Sequence, residues 1–174
     1  GLSIGGTLEN LINNGELLGD EIGGIVNTAD NSILNNLENN GKIKNNLFSK
    51  NSGGIVNILK DSTLTNSTNY GEISVFDIGG GIASQVMANN GNVNIENCIN
   101  VGNLDVIANP LSKVTAGGIV GILTGTENAN IKNSYNIGTI NLYNNSIYDR
   151  KLEMIIGGLV GSLTGNITNS YNIG

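Results

Sequence analysis

The densest group of charged residues in the chain is formed by Asp149, Arg150, Lys151 and Glu153, and it contains the only arginine. Acid–base chemistry on a polysaccharide needs carboxylates that are paired or lie beside a cation, so this group is where such chemistry would be sought. The four residues also lie within the segment 141–156. This segment is the longest of the connections between blocks, whose length differs from repeat to repeat. We therefore predict a solvated loop here and no catalytic residues.

Metal and cofactor chemistry is poorly supported by the residues present. The chain has no histidine and one cysteine, and its fourteen acidic residues are dispersed, without an Asp-x-Asp pair. Zinc requires His or Cys ligands, and calcium requires several converging oxygen ligands. The glycine run 79–81 lacks the Lys-Ser/Thr of a phosphate-binding loop. We predict no metal and no cofactor.

The overall charge excludes further classes of partner. The net charge is −6 and the isoelectric point is near 4.4, whereas nucleic-acid binding requires clustered cations. The longest apolar run, around Met154 to Val160, is interrupted by glycines and falls far short of the roughly 20 residues of a membrane-spanning helix. We predict neither nucleic-acid binding nor membrane insertion.

A repeat organises the whole chain. The pattern [L/I]-x-N-x-x-N-x-G-x-[I/L] occurs at 8–17, 34–43, 64–73, 95–104 and 131–140, and a sixth copy begins at 167 and reaches 174. A second block, Gly-Gly-[I/L]-[V/A], precedes five of these copies. Insertions fall between the blocks, so the period varies between 26 and 36 residues. We interpret 1–174 as a single repeat domain and as a fragment of a longer protein.

The repeat predicts an all-β fold, a β-solenoid resembling a right-handed parallel β-helix with about six coils. The second block alternates with period 2, for example Ile55, Asn57 and Leu59 on one face, as in a strand. Such short repeats bury an apolar face only by stacking. Glycine and asparagine are the residues that tolerate positive φ at the corners.

Stacked asparagines can also bond amide to amide along the solenoid axis. We predict axial ladders from both asparagines of the motif. The first asparagines are Asn10, Asn36, Asn66, Asn97, Asn133 and Asn169. The second asparagines are Asn13, Asn39, Asn69, Asn100, Asn136 and Asn172.

Two further positions in the motif have alternative readings. Cys98 is either a reactive thiol or a packed small residue, and the second is favoured because Leu11, Leu37, Ser67, Ser134 and Ser170 occupy the same place. Tyr135 and Tyr171 share one repeat position, so they form either a sugar-stacking pair or, as we favour, a structural stack.

The last copies carry a family resemblance. Residues 118–121 (GIVG) and 158–161 (GLVG), followed by Asn-Ser-Tyr at 133–135 and 169–171, resemble the GLUG repeat of bacterial surface proteins. The first three copies depart from it, because Asn27, Asn57 and Ser84 replace the last core glycine. GLUG repeats occur in adhesin-like proteins and in the non-catalytic parts of immunoglobulin A peptidases. The resemblance implies display on the cell surface or secretion, and no activity.

These observations lead to two functional hypotheses. The first is a non-catalytic stalk or adhesive scaffold of a secreted or cell-surface bacterial protein. The second is a fragment of a β-helix enzyme that processes polysaccharide, or the non-catalytic region of a surface metallopeptidase. A groove carrying clustered acidic and basic residues on adjacent coils would favour an enzyme.

The expected partners are a host glycan or a matrix protein, and a second copy bound end to end through uncapped terminal coils. In stacked repeats, insertions emerge from one side, which is often the binding face. The two longest insertions, 105–116 and 141–156, therefore predict a ligand face that includes Tyr143, Tyr148, Asp149, Arg150 and Lys151.

Overall fold

The computed structural model describes residues 1–45, 51–108, 113–144 and 153–174. These residues form β-strands joined by turns, and all of the strand pairs among them are parallel. Within the same ranges, no helix is long and apolar enough to cross a membrane. The all-β solenoid predicted from the repeat is confirmed.

The strands fall into six successive coils, the last of which has strands in two sheets only. Coil 1 contains β1 (Leu2–Ile4), β2 (Thr7–Asn13), β3 (Leu17–Gly19) and β4 (Glu21–Gly23). Coil 2 contains β5 (Val26–Asp30), β6 (Ile33–Asn39), β7 (Ile43–Asn45) and β8 (Asn51–Gly53). Coil 3 contains β9 (Val56–Lys60), β10 (Thr63–Thr65), β11 (Thr68–Asn69), β12 (Ile73–Val75) and β13 (Ile78–Gly80).

The remaining coils repeat this order. Coil 4 contains β14 (Ala83–Met87), β15 (Val93–Glu96), β16 (Ile99–Asn100), β17 (Leu104–Ile107) and β18 (Val114–Gly117). Coil 5 contains β19 (Val120–Thr124), β20 (Ala129–Lys132), β21 (Tyr135–Asn136), β22 (Ile140–Tyr143) and β23 (Met154–Gly157). Coil 6 contains β24 (Val160–Thr164), β25 (Asn166–Thr168) and β26 (Tyr171–Asn172).

Equivalent strands of successive coils pair in register and build four sheets. Sheet A consists of β1, β5, β9, β14, β19 and β24. Sheet B consists of β2, β6, β10, β11, β15, β16, β20, β21, β25 and β26. Sheet C consists of β3, β7, β12, β17 and β22, and sheet D consists of β4, β8, β13, β18 and β23. The chain therefore runs through sheets A, B, C and D once in each complete coil.

The interior contains two apolar clusters rather than one. The larger lies between sheets A and B and includes Leu34, Leu64, Ile95 and Ile131, which stack in one row and are fully buried. The smaller lies between sheets C and D. Burying one such aliphatic side chain stabilises a fold by about 1.5–3 kcal/mol, so stacking supplies what a single repeat lacks.

The predicted strict alternation in the second block is wrong at its start. Ile55 and Leu59 line the larger cluster as expected, but Val56 lies in it as well. Asn57 is not part of that cluster; it is buried, and its Nδ2 donates to Asn27 Oδ1 over 3.0 Å. The alternation breaks at Asn57, which is left out of the register that pairs Val56 with Ala83 and Ile58 with Gln85.

The predicted role of the glycines is also corrected. None of the glycines in the two repeat blocks has φ in the left-handed region. They are required by close approach instead: a Cβ on Gly54 would collide with the carbonyl oxygen of Gly81 and lie 2.5 Å from Asn69 Cγ. The second glycine of each pair thus touches an asparagine of the opposite wall, and this contact narrows the coil between the two clusters.

Candidate functional site

The second asparagines of the motif form one continuous ladder along the axis. Each Nδ2 donates to the Oδ1 of the next coil over 2.7–2.8 Å. In the first five coils it also donates to the backbone carbonyl of the motif glycine two residues later, over 2.7–2.9 Å. The four inner members, Asn39, Asn69, Asn100 and Asn136, are fully buried. The predicted asparagine ladder is confirmed for this column.

The first asparagines have another task. All six have positive φ, between 48° and 58°, and all are exposed. Their side-chain contacts are not continuous: Asn36 donates to Asn10 over 2.7 Å, but Asn133 donates to the Glu96 carboxylate. Asparagine tolerates this left-handed conformation better than other residues with a Cβ. A full second ladder, as predicted, is therefore wrong, because this column turns the backbone.

Cys98 occupies the serine position of the motif and lies in the interior. The serines here donate their hydroxyl to the carbonyl two residues earlier and accept an N–H from the preceding coil, as Ser134 does from Cys98 over 3.1 Å. Cys98 is fully buried, and this burial raises the pKa of its thiol to about 12. A reactive cysteine needs an exposed thiolate, so the packed reading is the one that the geometry supports.

Tyr135 and Tyr171 lie in register on the outer side of sheet B. Their rings are 5.0 Å apart and 2° from parallel. Each ring covers one face of the other, and the opposite face of Tyr171, in the last coil, stays open. The arrangement is that of a structural stack.

The long insertions share one corner of the coil. Their flanking strands lie in sheets C and D in each of the first five coils, so each connection leaves sheet C and enters sheet D at the same side. The strands extend further than predicted. β22 ends at Tyr143 and β23 begins at Met154, so both ends of the segment 141–156 belong to strands. Tyr143 is 45% exposed beside this corner. Tyr148, Asp149, Arg150 and Lys151 lie outside the described residues.

A cleft of about 310 Å³ lies next to this corner, on the outside of coils 3–6 between sheets D and A. We call it the D–A groove. Ile78, Thr115 and Ile155 of sheet D form one wall, and Ile122 and Ser162 of sheet A form the other. The same sheet D position carries Glu21 and Asn51 in coils 1 and 2, so the wall becomes apolar toward coil 6.

Two glycines lie against residues that line the groove. At the position of Asn27, Asn57 and Ser84 in the earlier coils, coils 5 and 6 have Gly121 and Gly161. A Cβ on Gly121 would lie 2.7 Å from the Ser84 carbonyl oxygen and 2.8 Å from Ile78 Cγ2. The last glycine of the GLUG-like core therefore lets the two sheets approach. Sequence reasoning missed the groove, although the change from Asn to Gly at this position was its signal.

Charged residues lie at the rim of the D–A groove. Asp77 and Lys113 line it on adjacent coils, and Lys113 Nζ lies 2.7 Å from Glu153 Oε1 of the next coil. Both members of the ion pair are exposed to solvent, with side-chain exposures of 44% and 65%. Among the described residues no three of His, Cys, Asp and Glu lie close enough to hold a metal ion. The groove is suited to contact a ligand by its apolar walls and to orient it by this rim.

Comparison with known proteins shows a likeness in fold. No protein-family model and no curated protein sequence matches the chain. Among solved structures, an IgA1 protease matches with a TM-score of 0.51 and 21% sequence identity. The match covers 96% of this chain and 14% of that one. At this identity the likeness shows a shared fold, and the chain spans about a seventh of the protease.

Proposed function

We propose that the chain is a non-catalytic repeat module of a secreted or cell-surface bacterial protein, acting as a stalk that presents a binding face. The observation that carries this proposal is that the recurring residues of the motif all have structural roles. The buried ladder, the left-handed turn asparagines and the close-packed glycines all build the coil itself. The motif residues thus serve to stack coils into a rigid, extended solenoid.

The likeness to a solved IgA1 protease structure also supports a stalk or scaffold role. The matched region is a small part of a long chain described as an IgA1 protease, and the GLUG resemblance implies surface display. A rigid spacer or scaffold region of a surface protease-like protein is consistent with both. The binding face in this proposal is the side that combines the D–A groove with the insertion corner.

The test of the binding face uses two matched tyrosines. The chain is applied to an array of host glycans and matrix proteins. The affinity for any ligand is compared between Tyr143→Ala, at the insertion corner, and Tyr70→Ala, at the end of a sheet B strand in coil 3. The two side chains have similar exposures of 45% and 51%. We expect Tyr143→Ala to weaken binding about tenfold, as loss of an aromatic contact does, and Tyr70→Ala to leave it unchanged. If no ligand binds, or if both variants weaken binding equally, the proposed binding face is wrong and only the stalk role remains.

The rim residues favour one alternative, a polysaccharide-processing enzyme. Asp77, Lys113 and Glu153 lie on three adjacent coils beside the groove, which is the arrangement that acid–base cleavage would need. The assay is the release of new reducing ends from acidic and neutral polysaccharides. Activity that disappears in Lys113→Ala and persists in Lys44→Ala would establish the alternative; no release by the chain would dismiss it.

A further inference from the structure

A second surface lies on the outer side of sheet B, behind the asparagine ladder. It is apolar in coils 4–6, and in coil 3 it combines Thr68 with Tyr70. Asn136 points inward, so its strand neighbours Tyr135 and Ile137 point outward. Register places Ile99, Tyr135 and Tyr171 in one column. Backbone bonds between successive coils place Tyr70, Val101, Ile137 and Ile173 in a second column. We call the two columns the apolar stripe.

The apolar stripe is accessible and belongs to neither interior cluster. Tyr70 is 51% exposed, Ile137 39% and Tyr171 50%, and Ile99, Val101 and Tyr135 are half-buried. Ile173, in the last coil, is also exposed. In coil 2 the same two columns carry Glu38 and Asn40. Contiguous apolar surface of this kind on a soluble protein marks an interaction site.

The geometry of the stripe restricts what can cover it. Its side chains repeat at the spacing of successive coils, about 4.8 Å, and the buried ladder immediately behind them holds the backbone rigid. The stacked rings of Tyr135 and Tyr171 present their edges along the side of the stripe, and the open face of Tyr171 lies at the end of the stack. A sugar lying along the stripe would therefore meet ring edges. Another β-sheet with the same spacing matches these rows side chain by side chain, as in face-to-face sheet packing.

We propose that the apolar stripe is the contact between two copies of this chain, packed side by side with antiparallel axes. A two-fold axis between coils 4 and 5 brings coil 4 to the height of coil 5 of the other copy, and coil 3 to that of coil 6. Val101 then faces Ile137 of the partner subunit. Ile99 faces Tyr135 of the partner subunit, and Tyr70 faces Ile173 of the partner subunit. Each contact occurs twice, as an isologous interface requires.

The charges beside the stripe select this arrangement. Glu96 and Lys132 are equivalent residues of coils 4 and 5, next to the turn asparagines. In the antiparallel arrangement Glu96 comes to the height of Lys132 of the partner subunit, and Lys132 to that of Glu96 of the partner subunit. A parallel pairing in the same register would bring like charges to the same height, so complementarity favours the antiparallel one.

The first test measures self-association by sedimentation at increasing concentration, in a Leu11→Lys background that blocks contacts through the first coil. Ile137→Lys places a charge in the stripe, and we expect it to weaken the dimer about tenfold or more. The matched control is Ile33→Lys, because Ile33 is 54% exposed on the same sheet but lies in coil 2. A monomer at every concentration, or equal effects of the two variants, would overturn the proposal.

The second test reads the orientation by charge exchange. Glu96→Lys alone and Lys132→Glu alone each bring like charges together and should weaken the dimer several-fold. An equimolar mixture of the two variants pairs Lys with Glu at both rims, so we expect association to return in the mixture. The single variants read the orientation, because in a parallel pairing each would replace one like-charged pair by another and leave the affinity unchanged. The recovery in the mixture shows that the pairing is intermolecular. Single variants that associate as well as the parent, or a mixture that associates no better than its components, would overturn the antiparallel arrangement.

Discussion

At the scale of single residues, two asparagines three positions apart do different work. Asn100 is fully buried, accepts from Asn69 over 2.8 Å and donates to Asn136 over 2.7 Å. Asn97 is exposed and has a φ of 54°. One side chain holds adjacent coils together, and the other allows the backbone to turn. Substitutions separate these roles.

We predict that Asn100→Ala lowers the free energy of unfolding by about 1–3 kcal/mol, because the buried partners above and below are left unsatisfied. Asn92→Ala, in an exposed turn of the same coil, is the control and should have little effect. Denaturant melts give both values, and equal, negligible changes would contradict a stabilising ladder.

At position 97 we predict that stability depends on the backbone conformation that the residue allows, and not on its side-chain hydrogen bonds. Asn97→Ala should cost about 1 kcal/mol, because a Cβ without a local polar partner strains the left-handed conformation. Asn97→Gly should restore most of that loss, since glycine adopts the conformation freely. At position 100, glycine should be no better than alanine. If glycine rescues both positions or neither, the assignment of two roles is wrong.

At the scale of one coil against the next, the motif glycine sets how closely the coils approach. A Cβ on Gly71 would lie 2.7 Å from Asn39 Nδ2 and collide with the carbonyl of Gly41, whereas a Cβ on Gly15 would meet only Asn13 Oδ1, at 3.6 Å. We predict that Gly71→Ala destabilises the fold by about 3 kcal/mol or more through overpacking. Gly15→Ala, at the same repeat position, should be nearly neutral. Thermal melts that show equal losses would refute the close-approach argument.

The turn from sheet A to sheet B in coil 4 is held by an acid of coil 3. Asp61 Oδ1 accepts the backbone N–H groups of Asn89, Asn90 and Gly91 over 2.8–3.2 Å. Desolvation acts to raise the pKa of Asp61, but these hydrogen bonds outweigh it, and the pKa lies below its ordinary value.

A depressed pKa in the folded state makes a contribution to stability that is complete above the ordinary pKa, near 3.9. The contribution is lost as the pH falls through the lower folded value. We predict that Asp61→Asn removes part of the stability at pH 7 and flattens its decline below pH 4, relative to the parent. Glu9→Gln, an exposed carboxylate of coil 1, serves as the control. Parallel stability–pH curves for parent and Asp61→Asn would contradict this role.

At the scale of the whole molecule, the terminal coils expose positions that are buried elsewhere. Leu11 is 41% exposed whereas its neighbour in register, Leu37, is 1% exposed, and Leu163 is 44% exposed against 1% for Leu123. The ladder is polar along its axis: Asn13 presents Oδ1 at one end and Asn172 presents Nδ2 at the other. The two ends are therefore complementary.

We predict that the chain as printed also associates head to tail through these ends, a heterologous contact that extends rather than closes. Light scattering should show oligomers beyond a dimer whose size grows with concentration. Leu11→Lys should abolish that growth, whereas Ile137→Lys should not. A chain whose largest species is a dimer at high concentration would contradict head-to-tail contact without affecting the side-by-side contact.

The repeat pattern by itself determined the architecture of the molecule. Two asparagines and a glycine at fixed spacing, with variable segments between the blocks, specify one coil per repeat, because only stacked copies bury the aliphatic rows. The packed position of Cys98 and the stack of Tyr135 on Tyr171 followed from register alone. These are properties that depend on which residue lies above which.

Only the tertiary structure decided which side chains point into the coil and which segments approach one another across it. The pattern does not say which asparagine points inward, because a single left-handed residue at position 97 reverses the faces that follow it. It does not say that Gly121 approaches sheet D, since that contact joins segments about 40 residues apart, Ile78 among them. The D–A groove arises from such a contact across the coil. The outward position of the apolar stripe follows from the inward direction of the second asparagine, so spacing along the chain could align its columns but could not show that they are exposed.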